Sequence, residues 1–229
     1  MTRRANSGSP LGTDAEGRPV RRALTRDHII RTALAVLDRD GVDGLSMRKL
    51  GAELGVNPMA FYHHLPNKAA LFDGVVEAVF GEVAVGLDTL NREDTWREQL
   101  AALMRQFRTV LRQHPNVLLI LATRPAYTPS LMAFGDRTIG LLSDAGITAH
   151  DLLVMISALR SYTIGQLLVE VGQPVGGPTA DPDEAAALIA PYPNLATAIA
   201  GGYDPDGQYE ITLQAMLDGF EQRLGRPRS

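Results

Sequence analysis

The chain has 229 residues, 45% of them hydrophobic and 21% charged, with a formal net charge of −4. That composition excludes wholesale disorder, a collagen-like chain and a bundle of membrane helices, and the lack of cysteine excludes a disulfide framework, a thiolate metal site and a cysteine nucleophile. The charge is uneven: residues 1–72 hold eleven basic against seven acidic residues, a surplus of +4, while residues 73–229 hold eleven against nineteen, −8. A polyanion is therefore expected to meet only the head of the chain.

Residues 1–24 are rich in Gly, Ser, Pro and Arg without periodicity and read as a disordered basic tail. They hold Arg3, Arg4 and Arg18 but no apolar run, so no secretory leader is expected. Thr25 is a good N-cap, and Ile30, Ala33, Leu34 and Leu37 recur at helical spacing up to Gly41, which is expected to end the first helix. Ser46 caps a second helix, with Met47, Leu50 and Leu54 inward and Gly55 as its stop. Asn57-Pro58 opens a third helix that Leu65-Pro66 closes. Asn67 caps a longer fourth, whose apolar face runs from Phe72 to Val83.

The rest reads as helices too. One starts at Asp94 or Thr95 and reaches about His114; a short one follows Pro115 and breaks at Thr123-Arg124-Pro125. Another runs from Pro129 to near Gly146, and a long one from Thr148 to about Glu170. Six Pro and six Gly in the 36 residues from Gly172 to Gly207 predict a loop-rich stretch with one helix at 183–190. Tyr209–Leu224 forms the last helix, with Leu213, Leu217, Phe220 and Leu224 on one face. No segment alternates as a strand does, so the fold is expected to be all-α. The predicted division is a tail at 1–24, a helix-turn-helix DNA-binding domain of three helices at 25–72, and a larger helical domain for effector binding and dimerisation at 73–229. The long helix is apolar all round, which demands burial on every side, and a dimer interface would supply it. Arg160 sits at its centre, so no membrane span is expected, and a cytoplasmic protein is.

Ser46–Leu65 carries the clearest chemistry. Helix, glycine turn and short helix make a helix-turn-helix, whose second helix enters the major groove led by its first residues. Pro58, Met59 and Ala60 offer small or apolar contacts to thymine methyls, Tyr62 and His64 hydrogen bonds to phosphate, Lys68 a cation, and Arg48 a fork for a guanine edge. Arg18, Arg21 and Arg22 read either as part of a solvated tail or as an arm along the phosphates.

The run GVDGLSMRKLGAELGVNPMAFYHHLPNKAALFDGV resembles the DNA-binding domain of the tetracycline-repressor (TetR) family. The resemblance extends through Trp96, Phe107, Ala122-Thr123-Arg124-Pro125 and the Ser157–Leu168 segment to most of residues 25–225. It implies a homodimeric, ligand-responsive repressor of a palindromic double-stranded operator, with Ser46, Arg48, Pro58, Met59, Ala60, Tyr62, His64 and Lys68 at DNA-contacting positions. It also implies a ligand site at Phe107, Thr123, Arg124 and Pro125. The chain departs from the founding repressor at four ligand positions. Ile120 stands for its magnesium-binding histidine, Val169 for its partner carboxylate with Glu170 one step round the helix, Leu103 for a polar amide and Ala84 for a ring-contacting histidine. Apolar residues cannot hold a hard cation. The expected effector is therefore a hydrophobic or aromatic molecule bound without metal or cofactor among Leu103, Phe107, Ile120, Thr123, Arg124 and Pro125, with Arg124, Asp136 and Ser161 as polar anchors.

The five histidines are scattered and no phosphate loop, dinucleotide fingerprint or nucleophile elbow is present, so enzyme chemistry is not expected. Two other readings stay open: a DNA-binding regulator with a filled core and no effector, and a helical small-molecule enzyme.

Overall fold

Thr25 accepts a hydrogen bond from the His28 N–H at 3.2 Å and starts α1, Arg26–Gly44. This computed structural model describes residues 24–225 apart from 92, 125–126, 144–145, 173–180 and 203, and among these residues every regular element is helical. Ile29, Ile30, Ala33, Val36 and Leu37 make the buried stripe of α1. Gly41, at φ 72° and ψ −178°, breaks the helical conformation where the end was expected, and a last short turn beyond it reaches Gly44.

The Ser46 hydroxyl accepts from the Lys49 N–H at 3.1 Å and caps α2, Met47–Leu54. Gly55, left-handed at φ 66°, closes it: the Gly55 N–H donates to the Ala52 carbonyl and the Val56 N–H to the Gly51 carbonyl. The expected third helix is instead a single 3-10 turn, Pro58–Ala60, followed by hydrogen-bonded turns to Leu65. Phe61 and Leu65 still reach the core, where they join Leu45, Leu50, Leu71 and Val75.

Helix α3, Lys68–Leu87, starts at the Asn67 side chain, which accepts from the Ala70 N–H at 2.8 Å. It buries Leu71, Val75 and Val76 against the head and Val79, Val83 and Leu87 against the body. Helix α4, Trp96–Gln113, begins with a reciprocal cap between Thr95 and Glu98. A 3-10 turn at Pro115–Val117 leads into α5, Leu118–Thr123; α6 is Pro129–Ser143 and α7 is Ala149–Val171. The loop-rich stretch holds two helices, not one: α8, Pro182–Ile189, and α9, Pro193–Ala200. Helix α10, Pro205–Leu224, begins a turn before the expected start because Asp204 caps it through the Asp206 and Gly207 N–H groups. Asp-Pro-Asp-Gly reads as a turn in sequence, yet it is also a good helix start, with Pro at the first position.

Helix α7 is central to the body. It packs on α4, α5, α6 and α10, but only on one side: Leu153, Val154 and Val169 are exposed in the protomer. Its length and mean hydropathy of 1.6 would suit a membrane crossing, as the core helix of a soluble bundle also does. The Tyr209 hydroxyl ties three helices together, lying 2.9 Å from the Thr163 hydroxyl of α7 and donating to the Met104 carbonyl of α4 at 3.2 Å. Burial pushes this phenol up to about 12. Beside it Arg108, nearly buried, pairs with Glu170 at 2.8 Å and Asp206 at 2.6 Å, and the guanidinium holds the Asp206 carboxyl below the usual carboxylate range.

Candidate nucleic-acid interface and effector cavity

The head presents one exposed set of side chains. Ser46 and Arg48 on the first turn of α2 are exposed, as are Met59, Ala60, Tyr62 and His64 around the 3-10 turn; Pro58 is half-buried. Met59 is 69% exposed, far beyond what a core methionine shows. Its position is set from below. The Asn57 side chain accepts from the Met59 N–H at 2.9 Å, and Phe61 stacks on Tyr62 with ring centroids 6.0 Å apart. Gly51 lets the turn come close: a Cβ there would lie 2.9 Å from Pro58 Cγ and 3.0 Å from the Val56 carbonyl oxygen. Among the described residues Arg48 joins no ion pair, whereas Lys49 beside it pairs with Asp40 at 2.9 Å. Asp40 also pairs with Arg39; that hydrogen bond, with Lys49 second, holds its carboxyl down to about 2.

Lys68 has a structural partner the sequence did not suggest. Its ammonium donates to the Leu45 carbonyl at 2.9 Å and lies over the Phe72 ring. It therefore pins the start of α3 to the segment before α2, and its remaining protons face solvent. The tail arginines 18, 21 and 22 lie outside the described residues.

In the body, α3, α4, α6 and α7 line a partly open cavity of about 80 Å3. Phe80 of α3 stacks on Phe107 of α4 at 5.7 Å and meets Phe134 of α6 at 5.4 Å, giving an aromatic wall. Leu103, Ile156 and Leu153 complete it, and among the described residues the polar side chains along it are Thr138 and Arg160. Of the expected ligand residues, Leu103 and Phe107 line this cavity. Ile120, Thr123 and Arg124 line a separate depression near the head with Val42 and Phe72. There the Arg124 Nε donates to Asp73 at 2.7 Å, which ties the end of α5 to α3. Asp136 is exposed on α6, Ser161 lies on an open groove of α7, and Pro125 falls outside the described residues. Sequence reasoning missed Phe80, Phe134 and Arg160. The signal for Arg160 was available: it follows Leu153 and Ile156 at i+7 and i+4 on one stripe of α7.

An exposed helix-turn-helix joined by one helix to an all-helical body with a lined cavity defines a DNA-binding regulator with a sensory domain. Comparison with known proteins agrees. Residues 29–75 match the model of bacterial regulatory proteins of the tetR family, and residues 89–224 that of the tetracyclin repressor-like C-terminal domain. An HTH-type transcriptional regulator of Saccharopolyspora erythraea is 34% identical over 213 residues, covering 86% of this chain and 87% of its own. The class A tetracycline repressor from transposon 1721 in Escherichia coli is 33% identical over 204 residues, covering 87% and 92%. The crystal structure of ActR from Streptomyces coelicolor in complex with actinorhodin covers 90% of this chain and 100% of its own, at TM-score 0.73 and 26% identity. The chain belongs to the TetR family of transcriptional regulators.

Proposed function

We propose that the protein is a cytoplasmic repressor that binds a palindromic operator as a homodimer and is released by a planar apolar or aromatic molecule seated in the α3/α4/α6/α7 cavity. The observation that carries this reading is the double role of α3. Its first half is fixed to the head by Lys68 on the Leu45 carbonyl, by Arg26 on Glu77 at 2.7 Å, and by Gly74, whose missing Cβ admits Ile30. Its second half supplies Phe80 and Val83 to the cavity wall. A ligand that shifts the wall thus shifts the mount of the reading head. Two heads must reach successive major grooves about 34–36 Å apart, so a small tilt breaks the fit.

The division at residues 25–72 and 73–229 follows the same logic, with α3 crossing the boundary. The exposed apolar residues Leu153, Val154 and Val169 of α7 and Ile211 of α10 support a dimer face on those two helices. The aromatic and apolar lining of the cavity supports an apolar effector over a regulator without one. A divalent metal does not fit. Ile120 is a buried aliphatic, Val169 is 82% exposed with no donor, and Glu170 is committed to Arg108 and Arg112. The likeness to ActR, described in complex with actinorhodin, supports a small-molecule effector.

The test is a footprint on the DNA flanking its own gene, followed by titration with a panel of aromatic ligands with and without EDTA. Two protected half-sites and metal-independent release are expected. Release that requires magnesium would overturn the effector reading, and a single asymmetric footprint the dimer reading.

A further inference from the structure

The cavity is small for an effector site: it measures about 80 Å3, against roughly 300–1,000 Å3 for drug-sized sites. A larger, partly open pocket of about 490 Å3 lies toward the C-terminal end of α3. Its wall continues the cavity wall one turn further along the same three helices. Leu87 follows Val83 on α3, Gln99 precedes Leu103 on α4, and Leu142 follows Thr138 on α6. Four residues of helix advance about 6 Å and return to the same face, so the two spaces lie end to end on one seam. Their chemistry differs. Phe80, Phe107 and Phe134 wall the cavity, whereas the pocket adds the half-buried Trp96 and the carboxylates of Asp88 and Asp94. Asp88 is paired with Arg137. The Asp94 carboxylate accepts from the Asn91 amide at 2.9 Å and joins no ion pair among the described residues. An indole beside an unpaired carboxylate is suited to holding an ammonium group. The surplus of −8 on residues 73–229 draws cations to this half of the chain.

We infer that cavity and pocket are the two ends of one elongated site, parted by the side chains of Leu87 and Leu142, and that the effector is an aromatic amine with its rings among Phe80, Phe107 and Phe134 and its ammonium between Trp96 and Asp94. The inference rests on the reading of the cavity as the effector site. It adds a length and a charge to that reading. Phe80 and Leu87 stand seven residues apart on α3, about 10 Å along its axis. A ligand that serves both ends therefore needs an arm of several bonds between ring and nitrogen. A ring system without that arm fills the cavity alone and leaves Asp94 unanswered.

Two matched pairs test this on the full-length protein by calorimetry: 4-(2-naphthyl)butylamine with 4-(2-naphthyl)butan-1-ol, and 2-naphthylmethylamine with 2-naphthalenemethanol. The wild type is expected to prefer the long amine to the long alcohol by about tenfold or more, and to bind the two short compounds within about twofold of each other. Asp94→Asn keeps an acceptor for Asn91 but loses the charge. It should bring the long pair within about twofold and leave alcohol affinity unchanged. Trp96→Leu should lower the preference for the long amine as well. Gly135→Leu separates the two readings. A Cβ at Gly135 meets no atom within 4 Å, and this residue lines the cavity, so the leucine should fill it and abolish binding of all four compounds. Equal binding of long amine and long alcohol to the wild type, both lost in Gly135→Leu, keeps the cavity reading and overturns the ammonium site. A short amine preferred as strongly as the long one, or a long-amine preference that survives Asp94→Asn, also overturns it, because the nitrogen is then answered elsewhere. Failure of every compound to bind, or binding indifferent to Gly135→Leu, overturns the cavity reading and this inference with it.

Discussion

Arg48 and Lys68 are both cations on the head, but their surroundings give them different tasks. Arg48 is exposed and unpaired among the described residues, free to fork onto a guanine edge. Arg48→Ala should cost about 1–3 kcal/mol on operator DNA and much less on random DNA, measured by gel shift on both. Lys68 is already bonded to the Leu45 carbonyl. Lys68→Ala should weaken binding to all sequences alike, reduce the salt slope by about one phosphate contact, and also lower the melting temperature. A second residue-scale prediction concerns Gly51. Its Cβ would overlap Pro58 and the Val56 carbonyl, which are ring and backbone atoms that cannot swing aside. Gly51→Val should destabilise the head by roughly 1–3 kcal/mol through overpacking, seen as earlier loss of DNA binding on heating. At this scale the sequence was most informative about caps: Thr25, Ser46, Asn67, Thr95 and Thr148 all cap as their residue types suggest. It was least informative about partners. Periodicity says which face turns inward, not which helix meets it, so nothing in the Thr-Arg-Pro turn pointed Arg124 at Asp73, fifty-one residues earlier.

Among the elements, the strongly periodic helices were legible and the short or Pro/Gly-flanked ones were not. The segment after Asn57 reads as a helix because Asn-Pro is a good start, but the chain forms one 3-10 turn there and then separate hydrogen-bonded turns to Leu65. Helix α9 was hidden by the prolines and glycines around it, although Pro193 sits at a position where proline favours helix. The joint of α4, α7 and α10 carries a pH prediction. Tyr209 is buried and its phenol is raised to about 12, against about 10 for a free tyrosine. The folded state thus favours the protonated phenol. Its contribution is complete below pH 10 and is lost as pH rises to about 12, on the order of 2–3 kcal/mol. Denaturant melts between pH 9 and 12 should show that loss in the wild type and a smaller one in Tyr209→Phe, which has no proton to give up.

For the molecule as a whole, the charge division raised the expectation of a polyanion at one end, and the long resemblance supplied the family. The location of the cavity was not legible, because apolar pocket walls and apolar cores have the same composition. Only coordinates separate Phe107, which faces open space, from Leu111, which does not. If the cavity and the head communicate through α3, linkage requires operator DNA to weaken effector binding by the same factor by which effector weakens DNA binding. Calorimetry with and without operator should return that common factor.

Leu153 has one further implication. It lines the cavity, and it is also 56% exposed on the open face of α7 proposed to meet a second copy. In such a dimer one side chain is shared by the ligand of its own protomer and the surface of the neighbour. Occupying the first cavity resets the boundary of the second, so the two sites cannot fill independently. Titration of the dimer should then give a Hill coefficient different from one, and Leu153→Ala should move it toward one while leaving the protein dimeric. The regulated promoter would respond to effector with a steepness set by a single leucine.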